Sequence, residues 1–452
     1  MSKFCTIDTG AFFKEAPCEE GCIAQNHPAR FILEVVSQLD LSAFERAYRG
    51  CGSKAYPPLT MLALLVYGYT TGVFSSRKVE AATHDSIAFR FLAGNTHPDH
   101  TSLAEFRKRF KQEFANVFQQ VLAIAHGLKL VQLGTVSLDG TKVLANASKH
   151  TAMSYGHAER IETQLKAEVA RLMALAEQVD NSERPQGLNF PAEIARRQER
   201  LVAIAAVKAE LEQRAALRDA TRRAEYEAQL ARRAEKEART GKRPGGKPPG
   251  EPLRGAQPRD QVSLTDGESR IMPVSGGGFE QAYNAQAAVD TASMLIVAAF
   301  VTQASNDKEQ LVPALQALGC APAALGKATA LLADSGYHSA GNVAASLAAQ
   351  VEPLIPARRE RHHPGGLERF TEPAALPVDA SPVARVAHRL KTCAGRALYA
   401  LRKQTVEPVF GIIKSVMRFR QFSMRGLASV QGEWNLVCLS YNLKRMAVLR
   451  LR

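Results

Sequence analysis

Residues 135–140, TVSLDG, decide the fold: a short run of strand-forming residues ends on an acid followed by glycine. β-Branched and apolar residues favour a strand, and Asp-Gly is typical of a turn, so the run predicts a strand that ends at Asp139. Residues 328–336, ATALLADSG, repeat the pattern with Asp334. Residues 295–301, LIVAAFV, predict a third, buried strand. The chain beyond residue 130 therefore contains strands as well as helices.

The N-terminal part of the chain has a different pattern. From Arg30 to Leu128 apolar residues recur at the spacing of helices, and Pro58 stands at a predicted helix start. Ser102 precedes Glu105 by three residues, the spacing of a capping box, and so predicts another helix start. We predict an all-α N-terminal domain over residues 1–130.

Residues 157–256 interrupt the strand region with charges of both signs and apolar residues at helical spacing. This pattern predicts two long helices, coiled-coil-like, separated near residues 185–191. The Gly- and Pro-rich residues 241–253 predict a flexible exit without secondary structure. We interpret residues 157–256 as a helical arm with its linker, inserted into a domain made of residues 131–156 and 257–452.

Composition and charge bound the function. With 46% hydrophobic and 23% charged residues the chain is neither disordered nor collagen-like. Its longest apolar stretch is too interrupted for a membrane span, and the seven scattered cysteines indicate a reducing compartment, so we expect a cytoplasmic, nucleoid-associated protein and no membrane partner. The segment 385–452 holds 14 Lys and Arg against two acids, which is +12 of the net +14. Such a concentrated charge predicts a nucleic-acid partner.

Three acids come from separated elements. Asp139 and Asp334 follow the two predicted strands, and Glu407 lies in VEPVFGIIK, residues 406–414, within a predicted helix. Singly, each acid is more often a helix cap or a surface carboxylate. Together, three carboxylates can hold two divalent ions about 4 Å apart, which activate an attacking oxygen and stabilise the leaving one in phosphoryl transfer.

The ordered motifs LDGTK, DGESRIM, YNAQ, ADSGYHS and VEPVFG, with the N-terminal block that begins YPPLTMLALL, carry a resemblance to a known family. The chain resembles bacterial insertion-sequence transposases of the DDE type with an InsH-like helical N-terminal domain. The resemblance implies an α/β ribonuclease H-like catalytic domain, a mixed sheet flanked by helices. It also implies that Asp139, Asp334 and Glu407 are the catalytic residues and the ligands of Mg²⁺ or Mn²⁺, two ions in all.

The family's C-terminal pattern places Tyr, Arg, Glu and Lys in order on the last catalytic helix. Tyr399, Glu407 and Lys414 match, and either Arg402 or Lys403 supplies the basic member: Lys403 keeps the spacing to Glu407, whereas Arg402 keeps the residue type. Seven residues separate Glu407 from Lys414, which on an unbroken helix puts both on one face. The predicted DNA-binding residues are Lys414, Lys403, Arg402, Tyr399, Arg418, Arg420 and Arg425.

Two other features have alternative interpretations. Asp266 and Asn284 stand in matching blocks, and they either belong to the site or shape turns and the sheet edge. Trp434 could stack on a base, but its spacing to Val437 and Tyr441 favours the core.

The leading interpretation of function is a transposase. It would bind the terminal inverted repeats of its element, hydrolyse phosphodiesters in a metal-dependent reaction, and transfer the freed 3′-hydroxyl ends into target DNA, as a homodimer or higher oligomer. One alternative is a DNA-binding regulator without catalysis, for which a helical domain and a basic C-terminal segment suffice. The other is a simple metal-dependent DNA nuclease, which gives no reason for a separate helical domain.

In the leading interpretation the N-terminal domain is DNA-binding and reads the element ends, because the catalytic acids supply no sequence preference. The alternative is a helical platform for dimerisation. The basic residues predicted to face the DNA are Arg77, Lys78, Arg107, Lys108, Arg109 and Lys111.

Overall fold

A computed structural model describes residues 3–5, 7, 23–49, 54–178, 189–274, 276–358 and 371–451. The chain forms two compact units, one of residues 1–146 and 272–452 and one of residues 147–271. The predicted break near residues 185–191 lies partly outside the described residues.

The N-terminal part of the first unit is helical. Its helices are α1 (Pro28–Ser37), α2 (Ser42–Arg46), α3 (Pro58–Thr71), α4 (Ser76–Asp85), α5 (Ile87–Ala93), α6 (His100–Arg109) and α7 (Glu113–Gly127). Helix α3 begins at Pro58 as predicted, where a proline needs no hydrogen-bond partner for its nitrogen. It is buried over nearly its whole length. The all-helical character predicted for this region agrees with the structure.

The predicted cap at Ser102 is wrong. The Asp99 carboxylate caps α6 by accepting the backbone N–H of Ser102, 2.9 Å away, so Ser102 lies inside the first turn of the helix. The Ser102 hydroxyl donates to the same carboxylate. An aspartate at the cap also places its negative charge at the positive end of the helix dipole, which favours this start over one three residues later.

A six-stranded mixed sheet follows. It consists of β1 (Thr135–Leu144), β4 (Arg270–Pro273), β5 (Phe279–Asp290), β6 (Ile296–Thr302), β7 (Ala330–Leu332) and β8 (Glu352–Leu354). Strands β2 and β3 belong to the second unit, which is described below. The order is β4-β5-β1-β7-β8, with β6 also paired to β5. Strand β5 is antiparallel to both β1 and β6, whereas β7 is parallel to β1 and to β8. Helices α10 (Leu311–Gly319) and α11 (Ala340–Ala348) connect the later strands.

The predicted strand end at Asp139 is also wrong. Strand β1 continues through Asp139 and Gly140 to Leu144, paired throughout with β5. Gly140 is not there for a turn: a Cβ atom on it would collide with the Gln286 amide and lie 2.7 Å from Asp307 Oδ1. The glycine leaves room for polar side chains beside the strand.

The chain closes with α12 (Pro382–Arg389), α13 (Cys393–Gly411) and α14 (Leu427–Leu449). Helix α13 passes into a π-helical stretch, Ile412–Val416, so the unbroken helix assumed between Glu407 and Lys414 is wrong and their shared face does not follow from the spacing. Trp434 of α14 is fully buried, and its indole N–H donates to the Gln286 carbonyl, 3.0 Å away. The interpretation of Trp434 as a core residue is confirmed.

The second unit contains β2 (Ala152–Ser154), α8 (Tyr155–Gln178), α9 (Phe190–Thr240) and β3 (Gln261–Ser263). Strands β2 and β3 form an antiparallel pair. Ala158 and Leu165 of α8 pack against Ile204 of α9. Lys208 of α9 contacts the Glu162 carboxylate of α8 at 2.8 Å, and Arg197 contacts Glu168 at 2.9 Å. The predicted pair of long helices is therefore present in the second unit.

No single helix among the described residues is long and apolar enough to cross a membrane. Helices α3 and α4 have the required length and apolar composition only when taken together, and their axes are bent by 96° relative to each other.

The helical N-terminal region and the mixed sheet with its flanking helices agree with the predicted fold class. The ribonuclease H-like and coiled-coil-like assignments stay predictions. So do the domain limits at residues 130, 156 and 256.

Candidate active site

Arg402 links two of the three predicted acids. One terminal nitrogen of its guanidinium, Nη1, lies 3.2 Å from Asp139 Oδ2 in β1, and the other, Nη2, lies 3.3 Å from Glu407 Oε1 in α13. The Arg402 side chain is 12% exposed and that of Asp139 is 21% exposed, whereas Glu407 is 51% exposed. Strand β1 and helix α13 thus each place one carboxylate against the Arg402 guanidinium, near the protein surface.

The third acid, Asp334, belongs to the same charged group. It follows β7, and its carboxylate accepts the N–H of Gly336 at 2.8 Å, which opens a short 3₁₀ turn. Burial raises the pKa of Asp139 to about 6; Arg402 and the Gly140 N–H act against this rise, whereas the charges of Asp334 and Asp307 add to it. Burial alone would lower the pKa of Arg402, but the surrounding acids raise it. The site therefore concentrates negative charge that one arginine does not fully balance.

The geometry distinguishes between the two candidate basic residues. Arg402 contacts the acids, whereas Lys403 is exposed on α13. Tyr399, one turn before Arg402, is half-buried against the cluster that contains Leu332 of β7. Arg402 Nε is buried and has no hydrogen-bond partner in the described part of the chain.

Three carboxylates suit a divalent ion in their chemistry, because Mg²⁺ and Mn²⁺ prefer oxygen ligands. Within the described ranges, no three His, Cys, Asp or Glu side chains are close enough together to hold a metal ion unaided. Arg402 instead places its cation between Asp139 and Glu407. The carboxylates thus offer the oxygen donors that such an ion prefers, while the positive charge beside Asp139 and Glu407 is that of Arg402.

The other predicted DNA-binding residues lie along residues 414–425. Lys414 donates to the Lys142 carbonyl of β1 at 3.0 Å, and burial lowers its pKa. The following residues extend the sheet locally: Leu144 N–H donates to the Arg420 carbonyl at 3.1 Å, and Phe422 N–H donates to the Leu144 carbonyl at 2.8 Å.

Three exposed arginines project from this segment. Arg420 Nε donates to the Lys414 carbonyl and Arg425 Nε to the Asn146 carbonyl, both at 3.0 Å. Arg418 adopts a left-handed backbone conformation, φ 61°, at the bend after the π-helical stretch. The segment thus presents Arg418, Arg420 and Arg425 to the solvent at the end of the strand that carries Asp139.

A polar cluster beside Gly140 was largely missed from the sequence. Asn284 and Gln286 of β5 are fully buried and both donate to Asp307 Oδ1 at 2.7 Å. The Lys142 ammonium lies 3.8 Å from the same oxygen. The two polar residues alternate with Ala285 and Ala287 in YNAQA, which is a detectable signal of polar side chains inside an apolar strand. Asp307 lies in a loop with no comparable signal.

The basic residues of the N-terminal helices differ in exposure. Arg77, Lys78 and Lys108 are exposed. Arg107 is half-buried and donates to the Tyr69 hydroxyl and the Phe74 carbonyl, at 3.2 and 3.0 Å. Its guanidinium is therefore held inside the fold, which makes Arg107 a packing residue and corrects its prediction as a DNA-facing one.

Two family models match the chain. Residues 18–109 match one described as Transposase domain (DUF772), and residues 257–443 match one described as Transposase DDE domain. The second range includes Asp334, Arg402 and Glu407, whereas Asp139 lies between the two ranges. Neither a curated protein nor a solved structure matches.

Proposed function

We propose that this chain, which belongs to the insertion-sequence transposases of the DDE family, nicks DNA at the terminal inverted repeats of its element. It then joins the freed 3′ ends to target DNA. A transposase acts on DNA, and members of the DDE family use divalent metal ions. The observation that carries the proposal is Arg402, whose guanidinium contacts Asp139 and Glu407 and interacts electrostatically with Asp334. A regulator without catalysis would have no need for this group of acids.

Asp139, Asp334 and Glu407 would hold Mg²⁺ or Mn²⁺, with two ions proposed. Such an ion, when bound, activates an attacking oxygen and stabilises a leaving one. The half-buried position of Asp139 keeps water from screening the carboxylate. Arg402, released from the acids, has the planar guanidinium suited to a DNA phosphate, and Lys414 and Tyr399 lie in the same helical segment.

The sheet order also supports the proposed ribonuclease H-like fold, because three antiparallel strands, β6, β5 and β1, adjoin two parallel ones, β7 and β8. A homodimer or higher oligomer in the DNA complex remains part of the proposal.

The test is a reaction of the purified chain with DNA that carries the ends of its flanking element, in Mg²⁺ or Mn²⁺. We expect nicks at the 3′ ends of the repeats and joined products with target DNA. Scrambled ends and EDTA are the controls. Specific binding without any nicking in either metal would favour the regulator, and nicking without joining would favour the nuclease.

The exposed arginines of residues 414–425 give a second prediction. Each neutralised phosphate releases counterions, so DNA affinity should fall steeply with salt. Arg418→Ala, Arg420→Ala and Arg425→Ala should each reduce the slope of log affinity against log salt by about 1. Arg450→Ala is the matched control, because Arg450 belongs to the same basic C-terminal segment but pairs with Glu34 at 2.6 Å. Equal slopes for all four variants would place the DNA elsewhere.

The third prediction concerns recognition of the element ends by the N-terminal helices. Phosphodiester chemistry carries no sequence preference, so separate residues must supply it. The triple variant Arg77→Ala, Lys78→Ala, Lys108→Ala should lose about tenfold or more in affinity for end DNA over scrambled DNA, since one base contact contributes about 1–3 kcal/mol. Competition binding measures the ratio, and Arg46→Ala on α2, also exposed, is the control.

An unchanged ratio in the triple variant would favour a helical platform for dimerisation. The experiment uses the full chain because α3 and α7 both pack against α14, so a chain that begins near Gly134 would lose part of its core.

A further inference from the structure

We infer that Asp307 is a positioning residue for the catalytic strand: it acts through Gln286, Asn284 and Lys142 to fix the part of β1 that carries Asp139. The inference rests on the proposed function of Asp139. It concerns residues outside the triad and outside the predicted DNA-binding set.

Strand β1 needs support at this point, because its backbone pairs on one edge only between Ser137 and Leu144, where residues 420–422 join it. Among the described residues, β7 pairs with β1 only from Thr135 to Ser137, whereas β5 continues to pair with it as far as Leu144. Asp139 is the second residue after the parallel ladder ends. Hydrogen bonds on one edge alone leave a strand freer to shift than bonds on both edges.

The side chains on one face of β1 provide that support. Gly140 lies opposite Gln286 and Lys142 opposite Asn284, and cross-strand partners share a face of the sheet. Asp307 meets both pairs from outside the sheet: it accepts the two amide N–H groups at 2.7 Å and lies 3.8 Å from the Lys142 ammonium. The space left by Gly140 lets these groups meet directly against the strand.

The direction of the hydrogen bonds is fixed throughout the cluster. The buried Tyr337 hydroxyl donates to Gln286 Oε1, which turns the Gln286 amide nitrogen toward Asp307 and toward Asn284 Oδ1. The Asn284 amide nitrogen also donates to the Ala304 carbonyl at 3.1 Å. Only an acceptor at position 307 satisfies both amides, and only a charged one also pairs with Lys142.

Lys142 connects the cluster around Asp307 to Lys414. Its carbonyl accepts the Lys414 ammonium, while its side chain, 16% exposed, pairs with Asp307. A shift of β1 at Lys142 would therefore move Asp139 and Lys414 together. Outer hydrogen-bond partners of this kind commonly change activity by about ten- to a hundredfold when they are removed.

The decisive variant is Asp307→Asn, because it retains one acceptor oxygen for both amides while it removes the negative charge and replaces the second oxygen with an NH2 group. Lys142→Met removes the other member of the pair, and Asp307→Ala removes the hydrogen bonds as well. Glu309→Gln, an exposed acid of the same loop, is the matched control. Three quantities are measured on the full chain: affinity for end DNA, nicking rate at saturating DNA, and hydrogen exchange of the peptide that covers residues 135–144.

We expect Asp307→Asn and Lys142→Met each to slow nicking at saturating DNA by about ten- to a hundredfold, with affinity for end DNA within about twofold of wild type. The double variant should be no slower than either single one, because the two residues act as a pair. Exchange of residues 135–144 should be faster than in Glu309→Gln, with an unchanged melting temperature.

Wild-type rate and exchange in Asp307→Asn would overturn the inference. A parallel loss of melting temperature, DNA affinity and rate would also overturn it, since that is what a merely structural role produces. If wild type and Glu309→Gln fail to nick at all, the proposed function fails instead, and the exchange of residues 135–144 still decides whether Asp307 positions the strand.

Discussion

Asp139→Asn, Asp334→Asn and Glu407→Gln should each reduce nicking of end DNA by at least about 10³-fold while leaving DNA binding intact. Each substitution preserves shape and removes one negative charge from the proposed metal-holding group. An ion that stabilises transition-state charge contributes several kcal/mol, and each reduction of the barrier by about 1.4 kcal/mol is a factor of ten in rate. Single-turnover nicking and gel-shift binding measure the two quantities separately.

The control is Asp379→Asn, an exposed acid in the same unit, which should nick at the wild-type rate. Full activity in Asp334→Asn or Glu407→Gln would show the triad assignment to be wrong. Removing a carboxylate from this group also reduces the repulsion between the site and the DNA phosphates, so DNA affinity should hold or rise slightly.

Arg402 makes a different contribution from the three acids. Its positive charge lies between Asp139 and Glu407, where a metal ion would have to compete with it. The sequence left Arg402 and Lys403 as equal candidates, because one kept the residue type and the other the spacing. Adjacent residues on a helix point about 100° apart, so only one of them can face the acids, and packing of α13 on the sheet decides which.

The sequence predicts those features of the fold that depend on residues close together along the chain. The predictions of the N-terminal helices, of the strand that carries Asp139 and of the strand before Asp334 rest on periodicity and composition, which are properties of short segments. A serine three residues before a glutamate fits a capping box and predicts a cap at Ser102, but Asp99 accepts the Ser102 N–H and so starts α6 earlier. Choosing between two good caps requires the path of the preceding loop.

Short sequence patterns do not predict which residues that are far apart along the chain come into contact in the fold. The charge of Arg107 predicted a DNA contact, yet it is held by Tyr69 and Phe74. Asp-Gly is common in turns and so predicts a turn at Gly140, whereas Asn284, Gln286 and Asp307 fill the space beside this glycine. Asp307 is far from Gly140 along the chain, and only the folded sheet brings it to the site.

The largest effect on stability should come from Glu433, a fully buried acid of α14. Its carboxylate accepts the Tyr69 hydroxyl at 2.7 Å and the N–H groups of Ser423 and Met424 at 2.9 and 3.0 Å, and the Ser423 hydroxyl donates to it as well. Burial and the nearby Glu433 charge raise the pKa of Tyr69, which keeps its hydroxyl protonated as a donor. Arg107 completes the cluster through Tyr69.

Glu433→Ala should lower the free energy of unfolding by about 3–5 kcal/mol, because it leaves the buried Tyr69 hydroxyl and the N–H groups of Ser423 and Met424 without their acceptor and removes the negative charge near Arg107. Tyr69→Phe removes one donor and should cost about 1–3 kcal/mol. Val448→Ala, on an exposed position of the same helix, should stay within about 0.5 kcal/mol of wild type. Urea unfolding followed by circular dichroism gives the order of the three variants.

The regions of the fold that Glu433→Ala destabilises are as informative as the size of the change in the free energy of unfolding. Glu433 joins α3 of the N-terminal region to residues 423–424, which belong to the segment that carries Arg418, Arg420 and Arg425. Hydrogen exchange in Glu433→Ala should therefore rise in both regions together, and DNA affinity should fall with them. If the free energy of unfolding of Glu433→Ala stays within about 1 kcal/mol of wild type, or exchange rises in one region alone, the buried carboxylate does not couple the helical region to the DNA-binding segment.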